Sequence, residues 1–238
     1  MKVGITGRNG FIGSALAKRF KVVYPYPRKD LDILFYFGSP SSNIIFDQNI
    51  DYSFNETING FLNVIQYCRD HKIKLVYPSS ATVYNKNTSY AHCKAILEEI
   101  HQAYDGDVLG FRIFAGYGIE DKKGEYASIV YQFCKMMKEG KRPIIFGDGN
   151  QTRDFIYIDD IVDNIVNNLD KTGIIDLGTG VNFSFNEVVD KINRELKTKI
   201  KPIYIDKPEN YIEETVCKKP CKWNVSLSEG IKKICQET

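Results

Sequence analysis

Three glycines spaced three residues apart place the strongest constraint on how this 238-residue chain can fold. Gly7, Gly10 and Gly13 lie between two apolar segments. The first segment, 2–6, has the pattern of a short strand, and in the second, 11–20, apolar residues recur at helical spacing. Glycine in such a turn lets backbone approach a ligand closely, and the start of a helix offers free N–H groups to an anion. The sequence therefore predicts a strand, a phosphate-binding turn and a helix.

Alternation of strand-like and helix-like segments continues along the first half of the chain. It predicts strands at 21–24, 33–37, 75–77 and 108–114, and helices at 52–70 and 89–104. Such alternation is typical of an α/β fold with a parallel, doubly wound sheet. Beyond residue 116 the order loosens, with helices expected near 127–138, 159–169, 184–196 and 226–235, and strands near 144, 155 and 174–177. The length favours one core with a small C-terminal lobe.

Composition excludes several classes of function. The net charge of +2 gives no field that would attract nucleic acid or an anionic membrane, so small polar ligands are favoured. The N-terminus lacks the apolar run of a signal peptide and no stretch approaches 18 apolar residues, which predicts a cytoplasmic protein. The six cysteines are scattered, as expected for reduced thiols. Cys217 and Cys221 could form half of a zinc site, but no second pair has ligand spacing, so we expect no metal.

Ser80, Tyr90 and Lys94 are the candidate catalytic residues. Tyr90 and Lys94 are four apart on a predicted helix and so share a face, while Ser80 follows the strand at 75–77, at the edge where such sheets bind ligands. A tyrosine base working near pH 7 needs its pKa lowered by about three units, or roughly 4 kcal/mol. The charge of Lys94 could supply part of this and an oxidised nicotinamide ring a second positive charge, while the Ser80 hydroxyl could donate a hydrogen bond to the reacting sugar oxygen. The alternative is a surface tyrosine beside a solvated lysine.

The nature of the nicotinamide cofactor depends on the segment 24–29. A site for NAD usually has a carboxylate after the second strand, whereas this segment contains Arg28 and Lys29 and no acidic residue. A guanidinium suits a 2′-phosphate, so Arg28 favours NADP. Two solvated basic residues on a loop would explain the segment nearly as well, which leaves the choice between NAD and NADP open.

Together the motifs resemble those of the extended short-chain dehydrogenase/reductase superfamily, in its nucleotide-sugar epimerase/dehydratase branch. The motifs are the glycine loop at 7–13, the Ser-Ser-Ala-Thr-Val-Tyr run at 79–84, Tyr90 with Lys94, Arg112-Ile113-Phe114, Tyr117-Gly118, Gly147 through Phe155, Trp223, and Leu227 through Gly230. The resemblance spans nearly the whole chain.

The resemblance implies a Rossmann domain at 1–115 and 155–178, and a nucleotide-sugar-binding lobe at 116–154 and 179–238. Residues expected to bind NAD or NADP are Gly7, Gly10, Phe11, Ile12, Gly13, Arg28, Gly38, Tyr90 and Lys94. Residues expected to bind a nucleotide-diphosphate sugar are Ser80, Thr82, Tyr90 and Arg153. Arg153 would contact the diphosphate, although an ion pair with the adjacent Asp154 or with another carboxylate is the alternative. A homodimer formed through the helices at 52–70 and 89–104 is also implied.

The residues after Ser80 narrow the reaction that this resemblance implies. Dehydratases of the branch have an Asp-Glu pair where this chain has Ala81 and Thr82, and decarboxylases usually have Glu in place of Thr82. The run at 79–84 is most similar to UDP-galactose 4-epimerases, which work through a 4-keto intermediate. A 4-keto-sugar reductase using NADPH remains an alternative, as does a non-catalytic dinucleotide-binding protein with a regulatory or scaffolding role.

Three features depart from the pattern of the branch. The stretch between the second strand and Ile33 is too short for the strand and helix that normally complete the adenine side. Ser80 and Tyr90 are only ten residues apart, where a longer loop usually contacts the sugar. Ala115 occupies a position where Asn commonly touches the substrate diphosphate. We therefore expect an open and unusual pocket, or a loss of catalysis.

Overall fold

A computed structural model describes residues 1–21, 23–208 and 211–237. The chain divides into two compact units. The first unit consists of Met1–Ile113 and Val162–Asp176, and the second of Phe114–Ile161 and Leu177–Thr238.

The first unit contains the main sheet and the helices that flank it. Its strands are β1 (Val3–Thr6), β2 (Val23–Tyr24), β3 (Ile33–Tyr36), β4 (Lys74–Ser80), β5 (Val108–Ile113) and most of β9 (Gly173–Leu177). Its helices are α1 (Phe11–Ala17), α2 (Asn43–Gln48), α3 (Ile50–Phe54), α4 (Gly60–Asp70) and α5 (Ser89–Ala103), with the end of α7 (Ile158–Asn167). A π-helical turn, Asn55–Asn59, joins α3 to α4, and a 3₁₀ turn, Ala81–Tyr84, follows β4.

The main sheet confirms the predicted α/β class. Within the described residues its strands lie in the order β2-β1-β3-β4-β5-β9, and β1 through β5 pair in parallel. The strand order reverses at β1, with β2 on one side and β3 on the other, so a crevice opens at the carboxyl ends of β1 and β3.

The shortened adenine side is visible at the edge of this sheet. β2 has only two residues, and in the described part of the chain no further strand pairs with its outer edge. After Tyr24 the chain turns back, and Asp32 donates its backbone N–H to the carbonyl of Lys2 at 2.9 Å. The short connection between Tyr24 and β3 thus has room for a turn only.

An apolar cluster fixes α4 and α5 against the sheet. Phe61 and Ile65 of α4 and Leu97 of α5 pack with Leu75 and Tyr77 of β4, all of them almost fully buried. Because α5 is held in this way, the side chains at its amino end have a defined position beside the end of β4.

The second unit contains two small sheets and the remaining helices. Its strands are β6 (Ala115–Tyr117), β7 (Ile144–Phe146), β8 (Thr152–Tyr157), β10 (Asn182–Ser184) and β11 (Ile203–Ile205). Its helices are α6 (Ile129–Lys138), α8 (Phe185–Leu196) and α9 (Leu227–Glu237), and a 3₁₀ turn forms at Gly124–Tyr126. β10, β8 and β6 make one sheet, and β11 pairs with β7 in parallel to make the other.

The unit boundaries differ from the domain boundaries expected from the sequence. Residues 155–161 are assigned to the first domain by the sequence, but they belong to the second unit, because β8 pairs with β6 and β10 there. The functional assignment of the two domains stays a prediction. Among the described residues, the helices are all too short or too polar to span a membrane.

Candidate active site

The glycine loop forms a narrow cradle between β1 and α1. Gly7 has a φ of +66°, and a Cβ there would collide with the carbonyl of Phe37, which follows β3. A Cβ on Gly13 would collide with the carbonyl of Gly7. Gly10 donates its N–H to that same carbonyl at 2.8 Å. Only glycine therefore fits at Gly7 and Gly13, because backbone surrounds both positions.

Gly38 brings the end of β3 against this loop. A Cβ on Gly38 would lie 3.0 Å from the nitrogen of Gly7, and its own N–H donates to Thr6 Oγ1 at 3.2 Å. The contact lies at the point where the strand order reverses. The N-cap of α1, Gly10, has no side-chain hydrogen bond, and Phe11 and Ile12 form the first turn of that helix. This arrangement fits the diphosphate of a dinucleotide.

The Ser80 hydroxyl lies beside the Tyr90 side chain, close enough to lower the pKa of that tyrosine. The Oγ of Ser80 accepts from Thr82 N at 3.3 Å and from Thr82 Oγ1 at 3.0 Å. Because a hydroxyl has two lone pairs and one hydrogen, these two bonds leave the Ser80 hydrogen free to point at Tyr90. A donor in this position stabilises the phenolate form of Tyr90.

Lys94 is buried beside the same tyrosine. Its Nζ lies 5.6 Å from the centre of the Tyr90 ring and donates to Pro78 O at 3.3 Å and to Ser39 Oγ at 3.5 Å. Ser39 adjoins Gly38, so a continuous set of contacts connects the glycine loop with the candidate catalytic residues. Sequence reasoning missed Ser39, because it is one serine in a polar turn and no local pattern distinguishes it.

Burial shifts the pKa values of both groups. It raises the pKa of Tyr90 to about 12, and the hydrogen bond from Ser80 partly opposes this increase. Burial also lowers the pKa of Lys94 to about 8, because its ammonium is almost completely removed from water. In the protein alone, Tyr90 is therefore protonated at neutral pH, and further positive charge would be needed to make it a base.

A short helix that the sequence analysis missed helps to hold Tyr90. Phe46 of α2 is fully buried, and its ring meets the Tyr90 ring edge to face at 5.4 Å. The N-cap of α5 is Thr88, which donates to Asn43 Oδ1 of α2 at 2.9 Å. The aromatic residues at 35–54 could have suggested such a contact, but a six-residue helix has too little periodicity to be recognised.

Arg153 of the second unit is a half-buried cation between two aromatic rings. Its guanidinium lies 5.5 Å from the centre of the Phe185 ring and 5.6 Å from that of Tyr211. It donates to the backbone carbonyls of Thr152 at 2.8 Å and Glu213 at 3.5 Å. Burial lowers the pKa of Arg153, which shows that its charge is poorly solvated.

The structure argues against an ion pair between Arg153 and Asp154. The Asp154 carboxylate is fully buried and accepts hydrogen bonds from the N–H groups of Thr179, Gly180 and Cys217 at 2.8 to 2.9 Å. It therefore fixes two backbone segments of the second unit, at 179–180 and at 217, and the guanidinium of Arg153 remains available for another anion.

A cavity of about 710 Å³ opens in the second unit near the strand that carries Arg153. Its lining includes Gln151 and Thr152, the Lys207 ammonium and the Glu213 carboxylate. Lys207 and Glu213 form an ion pair with each other. A cavity of this size with a few polar groups is suited to a small polar ligand.

A family model for the NAD dependent epimerase/dehydratase family matches residues 28–178. The match includes Ser80, Tyr90, Lys94 and Arg153, and it covers more than half of the chain. The chain belongs to this family. Membership indicates that the protein is an enzyme with a nicotinamide dinucleotide as its cofactor.

A curated relative and two solved structures agree with this assignment. The protein named "Putative UDP-glucose 4-epimerase" in Methanocaldococcus jannaschii is 32% identical over 219 residues, which cover 79% of this chain and 70% of the relative. UDP-glucose 4-epimerase of Thermotoga maritima, solved with UDP-glucose, has a TM-score of 0.90 at 18% identity and covers 99% of this chain and 98% of its own. UDP-glucose 4-epimerase of Thermus thermophilus, solved with NAD, has a TM-score of 0.85 at 20% identity, with the same coverage. These two structures establish the fold.

For this member of the family, the structure brings together Ser80, Tyr90 and Lys94 as the sequence predicted. The glycine loop and Gly38 also lie together. Arg153 and the cavity lined by the neighbouring Gln151 and Thr152 belong to the second unit. The roles of these residues in binding and catalysis stay predictions, as does the contact of Thr82 with a substrate.

Arg28 has a different environment from the one that an NADP site requires. Its guanidinium forms two hydrogen bonds with Asp30, at 2.5 and 2.9 Å, and Asp30 also pairs with Lys2 at 2.7 Å. Lys2 precedes β1, so this cluster lies at the amino end of β1, whereas the glycine loop follows its carboxyl end. The hydrogen bonds to Arg28 and Lys2 lower the pKa of Asp30. This geometry gives no support to a 2′-phosphate role for Arg28.

The structure contains no candidate metal site among its described residues, and its six cysteines are reduced thiols. Cys217 donates to the carbonyl of Lys219 at 3.2 Å and Cys221 to that of Gly178 at 3.3 Å. These two thiols stabilise the polypeptide that precedes α9.

Proposed function

We propose that the protein is a NAD-dependent nucleotide-sugar 4-epimerase in which Ser80, Tyr90 and Lys94 act on the sugar. The observation that carries this proposal is the Lys94 ammonium 5.6 Å from the centre of the Tyr90 ring, with the Ser80 hydroxyl beside the same tyrosine. An acid–base tyrosine, a hydroxyl donor and a cation next to a dinucleotide cradle are the groups needed to oxidise and reduce a secondary alcohol.

In this proposal Tyr90 moves the proton of the sugar hydroxyl. The bound nicotinamide supplies a hydride acceptor and, later, a hydride donor. The single hydrogen of Ser80 points at Tyr90 before a sugar binds and is donated to the reacting oxygen afterwards. Lys94 places positive charge beside the ring, which favours the phenolate and counters the effect of burial on Tyr90. Return of the proton from Tyr90 completes the cycle, so the residues are unchanged after each turnover.

The nucleotide-sugar part of the proposal rests on the second unit and on the relatives. Arg153 has a guanidinium without a carboxylate partner among the described residues, and guanidinium groups bind phosphate oxygens through paired hydrogen bonds. The curated relative and both solved structures are named as UDP-glucose 4-epimerases. UDP-hexoses are therefore the first substrates to test.

Two further features remain proposals of the same kind. We expect Thr82 to contact the substrate as well as Ser80, because its side chain is partly exposed beside that hydroxyl. We also expect a homodimer formed through α4 and α5, where Ile96 is exposed on the surface of α5. Light scattering of the purified protein would measure its mass and test the dimer.

The decisive experiment incubates the protein with UDP-glucose and NAD, and then follows the appearance of UDP-galactose by proton NMR. We expect interconversion with NAD, and its loss by about 10² to 10⁴-fold in Tyr90→Phe, because general acid–base catalysis contributes that much. Dinucleotide affinity should change little in this variant.

Two other outcomes would overturn the proposal. Consumption of NADPH with a 4-keto-sugar, and no interconversion with NAD, would make the protein a reductase. Dinucleotide binding without turnover of any UDP-, GDP-, CDP- or dTDP-sugar would make it a non-catalytic binding protein. Thermal unfolding with each dinucleotide, alone and with each sugar, would identify the ligands in either case.

A further inference from the structure

Glu98 links the helix that carries Tyr90 to the strand end that carries Ser80. It lies one helical turn beyond Lys94 in α5 and is almost fully buried. Its carboxylate accepts from Ser79 Oγ and from Arg112 Nε and Nη2, the latter two at 3.0 and 2.7 Å. Ser79 immediately precedes Ser80, so Glu98 fixes the backbone on one side of the candidate catalytic serine.

Tyr84 fixes the other side. Its hydroxyl accepts from Arg112 Nη1 at 2.7 Å and donates to Asp176 Oδ2 of β9 at 2.8 Å. Arg112 Nη1 also lies 3.6 Å from the Asp176 carboxylate. Tyr84 ends the 3₁₀ turn that begins directly after Ser80. The turn is therefore held at its end by β5 and β9.

The Arg112 guanidinium contacts both Glu98 and Tyr84, and so connects the two contacts that fix the segment around Ser80. A buried ion pair generally contributes little net stability, because the loss of hydration offsets the attraction between the charges. Here the pair has a geometric consequence, since it joins the segment on both sides of Ser80 to the helix of Tyr90. The nine residues between Ser80 and Tyr90 replace the longer loop expected from the family resemblance.

We propose that Ser79, Tyr84, Glu98, Arg112 and Asp176 form a positioning network that holds the Ser80 hydroxyl beside Tyr90. None of the five needs to touch the substrate. The inference rests on the proposed function for its kinetic effect, but the effect of the network on Tyr90 can be measured without turnover.

Removal of Glu98 would leave Arg112 without its buried partner, so the test removes hydroxyl groups instead. Ser79→Ala deletes one anchor and Tyr84→Phe the other, while both leave the ion pair of Glu98 and Arg112 in place. Tyr52→Phe is the matched control, because Tyr52 is an exposed residue of α3 outside the network.

The first measurement uses the protein labelled with ¹³C at Cζ of tyrosine. The resonance of Tyr90 is assigned by its loss in Tyr90→Phe, and Ser80→Ala gives the shift caused by loss of the Ser80 hydroxyl. We expect Ser79→Ala and Tyr84→Phe to shift the Tyr90 resonance in the same direction as Ser80→Ala. Tyr52→Phe should leave it unchanged. An unshifted Tyr90 resonance in both network variants would overturn the inference.

The second measurement follows turnover of UDP-glucose with NAD against pH. We expect kcat to fall about three- to tenfold in each network variant, with KM within about twofold, as for the loss of one hydrogen bond. The acidic limb of the pH profile should move to higher pH, because the Ser80 hydrogen bond lowers the pKa of Tyr90. The titratable groups facing Tyr90 are Cys93 and Lys94 of its own helix. The residues that face it from β4 and α2 are Ser80 and Phe46, neither of which titrates in this range.

The outcomes separate this inference from the proposed function. If wild type does not convert UDP-glucose, that substrate assignment fails and the NMR shifts still decide the network. If wild type is active and the network variants keep its pH profile and its Tyr90 resonance, the network has only a structural role and the inference is wrong.

Discussion

The ammonium of Lys94 lies over the ring of Tyr90, 5.6 Å from its centre, and donates hydrogen bonds to Pro78 and Ser39. In the proposed mechanism, Lys94 affects Tyr90 through its positive charge over the face of the ring. Because that charge is buried, its presence depends on pH within the range in which enzymes are usually assayed.

Lys94→Met should stabilise the fold at pH 7 by up to about 3 kcal/mol. Burial lowers the pKa of Lys94 from 10.5 to about 8, and each pKa unit costs the folded state roughly 1.36 kcal/mol. The unfolded chain keeps this proton to a higher pH than the folded chain. Unfolding thus takes up a proton between about pH 8 and 10.5, and wild-type stability increases with pH relative to the variant.

Urea unfolding of wild type and Lys94→Met measures this difference. Wild type should gain about 2 kcal/mol relative to the variant between roughly pH 7 and 9.5. The series stops below pH 10, because the raised pKa of Tyr90 makes folding less favourable above that pH. A stability difference that does not vary with pH would show that Lys94 is not buried as described. Turnover should be lost in the variant.

Gly13→Ala should weaken dinucleotide binding by more than about tenfold, because the added methyl group would collide with backbone of the glycine loop, which cannot rotate away. Gly106→Ala is the control, since a Cβ there meets only Val108 Cγ2, at 3.7 Å. The dinucleotide affinity of Gly10→Ala should lie between those of the other two variants, because its Cβ would be 3.2 Å from the Gly7 carbonyl oxygen. Calorimetric titration would rank the NAD affinities of the three variants. Equal affinities would contradict the assignment of the glycine loop as the dinucleotide cradle.

The sequence carried enough information to predict the sheet and the residues of its crevice. Apolar periodicity and glycine spacing are local signals, and Ser80, Tyr90 and Lys94 follow from a strand end and an i, i+4 pair. The π-helical turn at 55–59 gave no such signal, because a single turn of five residues is too short to establish a periodicity of its own.

The contacts that support the site depend on residues far apart in sequence. Glu98 and Arg112 each look like a solvated charge until the fold places α5 beside β5. Asp30 lies just beyond the segment inspected for a cofactor carboxylate, and only the reversal of the chain after β2 brings it to Arg28 and Lys2. Tertiary packing determines these partners, and local sequence propensity does not predict tertiary packing.

Arg28→Ala should leave the ratio of NADP to NAD affinity unchanged. The guanidinium is already bound by Asp30 at the amino end of β1, and it stacks on Tyr24 at 4.4 Å. The hypothesis drawn from the sequence expects instead a selective loss of NADP affinity, since a 2′-phosphate would lose its guanidinium partner. Fluorescence titration with both reduced dinucleotides discriminates between these results, and a selective loss would restore the role of Arg28.

Arg153→Met should weaken binding of UDP by about 10- to 100-fold, because charge-assisted, paired hydrogen bonds to phosphate are among the strongest polar contacts in proteins. The methionine keeps much of the side-chain volume between Phe185 and Tyr211, so the second unit should remain folded. The stability of Arg153→Met without ligand should not fall, since this variant no longer buries a guanidinium whose pKa is lowered by desolvation.

Arg142→Met is the matched control for this measurement. Arg142 is an exposed arginine of the same unit, and it also donates to backbone carbonyls, those of Lys201 at 2.9 Å and Pro202 at 2.8 Å. If Arg153 binds a diphosphate, calorimetric titration with UDP should show a loss for Arg153→Met alone, and Arg153→Lys should recover only part of the affinity because it lacks the planar fork. Equal UDP affinity in wild type and Arg153→Met would mean that the exposed rim of the guanidinium has no phosphate partner.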